Sequence, residues 1–375
     1  MNDVARALHL PAAPHWSVDW DALDRDFEWV RAMRGCPQDP YFHAEGDVWI
    51  HTRMVCEEMA LLAAFRDAEP ALRLRLFAAA LLHDVAKPRC TVEEDGRIRS
   101  PGHSPAGALD ARRILWQLGL PRPEREAICA LIRYHQVPYH WASRRDSQRL
   151  VIRLSQTAVL QHLSWLAEAD LRGRHCDDRA AQLENNALFA EYVDELGCLQ
   201  GPWPFANDHA RLMFFRRPDR DPHWEAFDDT RFRVTVMSGL PGAGKSSWIA
   251  AHAADQPIIE LDAIRRELGI SPAESQGKVI DVARSRAREH LRRDQPFVWD
   301  ATSLTRSLRA RIVNLGLDYG ARVRVVHVEA PADLLFERNR DRPYPVPNAV
   351  LERMIQRWDP PDPTEAHEIT FVDND

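Results

Sequence analysis

Between residue 47 and about residue 200, apolar side chains recur at three- and four-residue spacing, with few β-branched runs. That period gathers them on one helical face and predicts helices over 47–65, 71–86, 105–118, 122–135, 147–170 and 178–196. The segments between are rich in proline and glycine, which interrupt helices. A loose tract follows from Gly201-Pro202-Trp203-Pro204 to about residue 222, where neither period persists. After about residue 230 the pattern becomes short apolar runs of strand length at 232–238, 257–261, 296–300, 322–328 and 369–372, separated by helical segments. Strands alternating with helices predict a parallel sheet with helices on both faces. The expected architecture is two domains, all-α over 1–228 (core about 45–200) and α/β over 229–375. A chain of 375 residues is long for one core, which agrees. No internal repeat or low-complexity tract stands out.

The run 232–238 leads into Gly239-Leu240-Pro241-Gly242-Ala243-Gly244-Lys245-Ser246 and then a helix-compatible stretch. This GxxxxGK[ST] spacing, between a strand and a helix, predicts a phosphate-binding loop. Gly239, Gly242 and Gly244 let backbone N–H groups converge on phosphate, and Lys245 reaches the β/γ-phosphates. Ser246 helps hold Mg²⁺, and Ser247 completes the nucleotide-binding set. The expected cofactor is ATP or another NTP with Mg²⁺.

On the acceptor side, the run 257–261, expected beside the phosphate loop's strand in the sheet, ends at Asp262, the expected N-cap of the next helix. Asp262 and Arg265 are spaced i, i+3 and share a face. The aspartate can accept the proton of an attacking hydroxyl or simply cap the helix. The arginine can grip a phosphate on the acceptor. Asp300, at the end of 296–300, can order the Mg²⁺ waters or orient Arg265. Arg338 and Arg342, spaced i, i+4, can close over the donor phosphates as a lid.

The helical half carries His83-Asp84 at the end of the apolar run 76–82, with His51, His103, His135 and Asp170 elsewhere. Two adjacent polar groups after such a run are costly to bury without a partner, and a metal supplies one. His51, His83, Asp84 and Asp170 fall on different predicted helices, as a site inside a helical bundle requires. His103 and His135 can complete a second position, with Asp84 bridging. Imidazole and carboxylate donors suit Mn²⁺, Fe²⁺, Co²⁺, Ni²⁺ or Zn²⁺.

These residues carry two resemblances. The phosphate loop, Asp262-x-x-Arg265, Asp300-Ala301-Thr302 and the arginines near 340 resemble the polynucleotide 5′-kinase family of P-loop phosphotransferases. The resemblance implies that Asp262 is the general base for a 5′-hydroxyl and that Arg265 contacts the acceptor phosphate. The set His51, His83-Asp84, Asp170 looks like the HD phosphohydrolase superfamily. His83-Asp84-Val85-Ala86-Lys87-Pro88, Gly102-His103-Ser104 and Ala169-Asp170-Leu171-Arg172-Gly173-Arg174 resemble the HD domain attached to some bacterial CCA-adding enzymes. That likeness implies that Lys87 and Arg174 contact the scissile phosphate.

An all-α HD phosphohydrolase bundle followed by an α/β P-loop kinase is similar to the bacterial HD-Pnk end-healing enzymes. The resemblance implies a bifunctional enzyme: an NTP-dependent 5′-OH kinase and a metal-dependent hydrolase of 2′,3′-cyclic, 2′- or 3′-phosphates. Its partners would be RNA or DNA ends carrying those groups, with a separate ligase acting downstream. The tract 137–145, with Tyr139 and Trp141, can stack a terminal nucleotide or pack as a loop.

Composition narrows the field. A net charge of −7 argues against a broad nucleic-acid-coating surface but not against a grip on one strand end. Only three of the 49 basic residues are lysine, and two of those, Lys87 and Lys245, lie inside the motifs. A compact ammonium in a tight phosphate site is not replaceable by guanidinium. The six cysteines are scattered with no C-x-x-C pair, which favours a reducing cytoplasm. Residues 1–10 lack a secretory signal, and the apolar runs 59–65 and 76–82 are too short to span a bilayer, so no membrane association is expected. Two other readings remain: a nucleoside or small-metabolite kinase fused to an HD nucleotidase, and an HD hydrolase regulated by an ATP-sensing P-loop domain. Arg265 disfavours the first, since a nucleoside offers it no phosphate. Asp262 disfavours the second, since a sensor needs no base.

Overall fold

The computed structural model describes every residue except 272, 273, 343 and 375. The chain divides into two compact units, Met1–Trp203 and Pro204–Asp375.

The first unit is helical apart from a small antiparallel hairpin, Val92–Glu94 with Arg97–Arg99. Asp47 caps the helix Val48–Leu61 by accepting from Ile50 N at 2.9 Å. That helix buries Val48, Thr52, Val55, Cys56 and Met59, a stripe on which His51 also lies. It packs against the helices Pro70–Leu82 and Leu160–Arg172. Pro70–Leu82 packs in turn on Arg122–Tyr134, which pairs with His103–Gln117. Leu76 through Leu82 are all buried, so this helix is the centre of the unit.

Three sequence expectations are corrected here. The helix expected over 71–86 ends at Leu82, and His83 is its C-cap. The helix expected over 147–170 is two, Ser147–Ser155 and Leu160–Arg172, because the chain turns through Gln156-Thr157-Ala158. Three short helices, Asn2–Ala7, Trp20–Asp26 and Glu28–Met33, precede the first predicted element. No described helix is long and apolar enough to cross a membrane.

The second unit holds a five-stranded, wholly parallel sheet. Its strand order is Ile258–Glu260, Phe297–Asp300, Phe232–Ser238, Ala321–Glu329, Glu368–Asp373. Val234, Val236, Phe297, Val323 and Val325 of the sheet, with Val279, Ala283, Ala287 and Leu291 of the helix Gly277–Leu291, form its core. The segment 204–228, which the sequence pattern placed in the first domain, lies in this unit. Arg211 of the helix Asp208–Arg216 donates to the carbonyls of Pro363 and His367 at 2.9 and 2.8 Å. Asp208 and Asp228 both pair with Arg322, at 3.2 and 2.7 Å. Polar contacts of this kind leave no periodic apolar signal.

Candidate functional sites

The helix Val48–Leu61 brings His51 to the centre of the first unit, the end of Pro70–Leu82 brings His83 and Asp84, and Leu160–Arg172 brings Asp170. His103 opens the helix His103–Gln117 and His135 caps Arg122–Tyr134. All six are buried. Two groups within them could hold metal ions: His51, His83 and Asp170, and Asp84, His103 and His135.

Three of the imidazoles are fixed by the same device. Nδ1 of His83, His103 and His135 faces the carbonyl three residues earlier, on Ala80, Ser100 and Ile132, at 2.8, 2.8 and 2.7 Å. Nδ1 must carry the proton there, so Nε2 presents a lone pair inward. His51 Nδ1 likewise faces Glu45 Oε1 at 2.9 Å and the Gly173 carbonyl at 3.2 Å. Yet the Nε2 atoms of His51 and His83 lie 3.4 Å apart, as do those of His103 and His135. A proton or a metal cation between the facing nitrogens removes the repulsion of two lone pairs, and neutral imidazole is the form that ligates a metal.

Asp84 sits between the groups. Its Oδ2 is 3.1 Å from His83 Nε2 and 3.8 Å from His51 Nε2, and its Oδ1 is 3.3 Å from His103 Nε2. Neither oxygen, though buried, accepts a well-directed hydrogen bond. Lys87 supplies one positive charge, 2.8 Å from Oδ2, and a buried carboxylate without such hydrogen bonds is costly unless more meets it. The donor set therefore fits divalent metal.

The electrostatics agree. Burial alone would raise the Asp84 carboxyl, but His83, Lys87 and His103 hold it well below the usual carboxylate range. Asp170 is held low against its burial by Arg174 and His51. Burial and the neighbouring His83 and His103 push His135 down to about 3, keeping it neutral. His51 is the exception: burial works against its charge, but Asp170 and Glu45 outweigh it and raise its pKa, favouring a proton where a metal would otherwise sit.

The expected phosphate contacts are anchored at this centre. Lys87 Nζ lies 2.8 Å from Asp84 Oδ2 and donates to Gln38 Oε1 at 2.6 Å. Arg174 makes a two-pronged pair with Asp170, Nε to Oδ1 at 2.8 Å and Nη2 to Oδ2 at 2.7 Å. Tyr139, expected as a possible stacking surface, is buried and donates to Asp170 Oδ2 at 2.5 Å. Trp141 is also packed, stacking on Tyr192 with centroids 4.7 Å apart. Sequence reasoning missed Glu45 and Gln38. Glu45 bridges His43 and His51, at 2.8 and 2.9 Å, and accepts from His175 N at 2.8 Å. The only signal was a His43-x-Glu45 pair just upstream of His51.

In the second unit the loop after Phe232–Ser238 turns through left-handed glycines. Gly239 has φ 138° and a Cβ there would strike the Val328 carbonyl, while Gly244 has φ 106° and opens the helix Lys245–His252. Gly239 N donates to Thr302 O at 2.9 Å, and Asn374 Nδ2 donates to Ala243 O at 2.7 Å. Gly242, with φ 85°, lies under Leu335, Arg338 and Asn339 of the helix Ala332–Arg340. Lys245 Nζ donates to the Gly239 and Leu240 carbonyls, both at 3.0 Å, and Ser246 and Ser247 are exposed. Burial lowers Lys245 to about 8, with Asp300 and Asp262 opposing and Arg342 adding to the shift. Burial and the nearby Glu260 and Asp262 raise the Asp300 carboxyl, against the pull of Lys245. Lys245, Asp262, Asp300 and Arg342 are thus electrostatic neighbours. Glu260, beside Asp300, is an addition the sequence did not suggest.

Placement corrects three details. Asp262 lies in the first turn of Leu261–Glu267, whose N-cap is Glu260. Its strand is not next to the loop's strand, because Phe297–Asp300 runs between them. Arg338 is on the helix Ala332–Arg340 but Arg342 follows its end, so the two are not stacked on one helical face. Asp262 and Arg265 do share a face and are ion-paired, with Arg265 Nε donating to Gln276 Oε1 at 2.7 Å.

Comparison with known proteins follows this division. Residues 48–179 match the family model of the HD domain, and residues 234–361 match that of an AAA domain. The chain is 37% identical over 114 residues to a multifunctional CCA protein of Halorhodospira halophila, covering 30% of this chain and 25% of that protein. It is 24% identical over 135 residues to an L-seryl-tRNA(Sec) kinase of Methanococcus maripaludis, covering 34% of this chain and 53% of that one. A gluconokinase structure from Sinorhizobium meliloti aligns at 22% identity and TM-score 0.28, covering 40% of this chain and 84% of that one. The chain spans a quarter to about half of the two curated relatives. A kinase-like P-loop domain implies an NTP with Mg²⁺, and an HD domain implies a divalent metal. The chain carries an HD domain and a kinase-like P-loop domain.

Proposed function

We propose that this protein heals broken polynucleotide ends, RNA above all, phosphorylating 5′-hydroxyls with its P-loop domain and clearing 2′,3′-cyclic, 2′- or 3′-phosphates with its HD domain. The observation that carries the reading is one chain holding both a histidine–aspartate centre built around Asp84 and a phosphate loop with an Asp262/Arg265 acceptor pair. A relative named for a tRNA-borne acceptor supports the RNA class.

In the kinase half, the Asp262 carboxylate takes the proton of the 5′-hydroxyl as its oxygen attacks the γ-phosphorus. The bond to the β–γ bridging oxygen breaks and the nucleoside diphosphate leaves. Lys245, Arg338 and Arg342 neutralise the transferring group, and Ser246, Ser247 and Asp300 hold the nucleotide with its Mg²⁺. Arg265 exchanges Asp262 for the phosphate 3′ to the attacked hydroxyl, which selects polynucleotide over nucleoside.

In the hydrolase half, His51, His83, Asp84, His103, His135 and Asp170 would hold two divalent cations, which supply Lewis-acid activation of water and phosphate. The imidazole donors favour Mn²⁺, Fe²⁺, Co²⁺ or Ni²⁺ over Mg²⁺. Lys87 and Arg174, oriented by Asp84 and Asp170, bind the non-bridging oxygens of the scissile phosphate. A separate ligase would join the products, and the proposed setting is a reducing cytoplasm.

The test is one oligoribonucleotide with a 5′-hydroxyl and a 2′,3′-cyclic phosphate, incubated with ATP and a panel of metals, each end resolved separately. The reading expects a new 5′-phosphate with Mg²⁺ and loss of the cyclic end with a transition metal. Phosphorylation of free nucleosides at equal efficiency would replace it with the small-metabolite reading.

A further inference from the structure

The loop of residues 38–46 is fastened at both ends to the candidate metal centre. At one end Gln38 Oε1 accepts from Lys87 Nζ at 2.6 Å, and Lys87 is itself paired with Asp84. At the other, Glu45 holds His51 and His43, and the His43 and His51 rings lie 4.6 Å apart. Ala44 N donates to His175 O at 2.9 Å, and Gln38 Nε2 to Gly46 O at 3.4 Å, which close the loop on itself and on the unit. Asp39 ties the middle, accepting from Tyr41, Phe42 and His43 N, each at 3.0 Å.

The tip of this fastened loop is Tyr41-Phe42. The two rings meet edge to face, with centroids 4.8 Å apart. They remain 59% and 42% exposed, a large apolar area to leave in water. Each lies three residues from a side chain bonded into the metal-ligand set, Tyr41 from Gln38 and Phe42 from Glu45. A loop with independent mobility would average such a surface away, but this one is held by the hydrogen bonds and ion pairs named above.

We propose that Tyr41 and Phe42 form a stacking platform at the rim of the HD site, taking the planar base of the nucleotide whose phosphate enters the metal centre. The assignment rests on the hydrolase reading and deepens it. Aromatic faces stack on any base without reading its sequence, which suits an enzyme that must treat every broken end alike. A rigid aromatic pair also loses little conformational entropy on binding.

The test compares a nucleoside 2′,3′-cyclic phosphate with ribose 2′,3′-cyclic phosphate lacking the base, on manganese-loaded full-length protein. Wild type should prefer the base-bearing substrate, and Tyr41→Ala/Phe42→Ala should lower that kcat/KM ratio about tenfold or more. Tyr41→Leu/Phe42→Trp, which restores one ring face, should recover most of it. Parallel losses on both substrates would mean the loop only supports the centre, and an unmoved ratio would mean another occupant, such as a protein partner. Either result overturns the platform. Calorimetric titration with a nucleoside 3′-monophosphate and with ribose phosphate reads the same selectivity as affinity. A wild type that cleaves neither ester would therefore sink the hydrolase reading, while the affinity ratio still decides the platform.

Discussion

Nε2 of His51 and Nε2 of His83 face each other across 3.4 Å, although the Nδ1 of each ring is already committed to oxygen. The same relationship between His103 and His135 makes two inward-facing couples, with Asp84 between them. Divalent cations bound by such a polar core stabilise the folded form. Adding Mn²⁺ to chelated protein should therefore raise the melting temperature of the first unit. Binding only to the folded form at 100 times Kd stabilises by about 2.7 kcal/mol. Asp84→Ala should lose the response in scanning calorimetry, and a chelated protein indifferent to Mn²⁺ would contradict the ligand assignment.

Glu45 has no direct place among the ligands but fixes His51 through Nδ1 at 2.9 Å. Carboxylates in this position tune the histidine they hold, and their removal costs about 10–100-fold in metal affinity. Glu45→Gln should weaken Mn²⁺ binding by that order in a competition titration with a chelating indicator. An unchanged affinity would reduce Glu45 to a loop fastener.

Asp262 and Arg265 are paired in the structure, yet their proposed roles differ. Asp262→Asn should depress kcat on every acceptor, because the proton acceptor is gone. Arg265→Ala should instead impair an oligonucleotide or nucleoside 3′-monophosphate far more than a plain nucleoside. Initial rates on these three acceptors separate the effects. Uniform loss from Arg265→Ala would show that it serves only to hold Asp262.

His367 supplies a pH dependence remote from both sites. Its Nδ1 accepts from Val323 N at 3.0 Å, and its Nε2 lies 3.0 Å from His209 Nδ1. Burial, then the neighbouring His209 and Arg322, push it down to about 4, against the opposing Asp228 and Asp208. Its ordinary value is 6.5, so between pH 6.5 and 4 the unfolded chain binds more protons than the folded one. Stability is full above pH 6.5 and falls toward pH 4, by on the order of 2–3 kcal/mol. Amide exchange in the strand Ala321–Glu329 should accelerate over that window in the wild type and much less in His367→Gln. Equal acid sensitivity in both would place the titration elsewhere.

The fold was legible where burial imposes a period. The helix over His51 and the strands around Phe232–Ser238 and Phe297–Asp300 announce themselves because one face of each is apolar. The chemistry was legible where residue types are rare, as at Lys87 and Lys245. Contacts made by loops were not. Glu45 and Gln38 act from an irregular segment, and the strand order that puts Asp300 rather than Asp262 beside the phosphate loop's strand depends on long-range pairing. The tract around Tyr139 and Trp141 left a stacking surface and a packed loop both open, because sequence does not reveal which aromatics are covered. Tyr139 is spent on Asp170 and Trp141 on Tyr192.

The central claim is two separate phosphate chemistries in one chain. Its most direct measurement follows both ends of one oligoribonucleotide, bearing 5′-hydroxyl and 2′,3′-cyclic phosphate termini, through wild type, Lys245→Ala and Asp84→Ala. Lys245→Ala removes a charge from the donor phosphates and should abolish 5′-phosphorylation while the cyclic end is still opened. Asp84→Ala removes the carboxylate that lies against both His83 and His103 and should do the reverse. Loss of both activities from either variant, in protein shown to be folded, would contradict two independent sites.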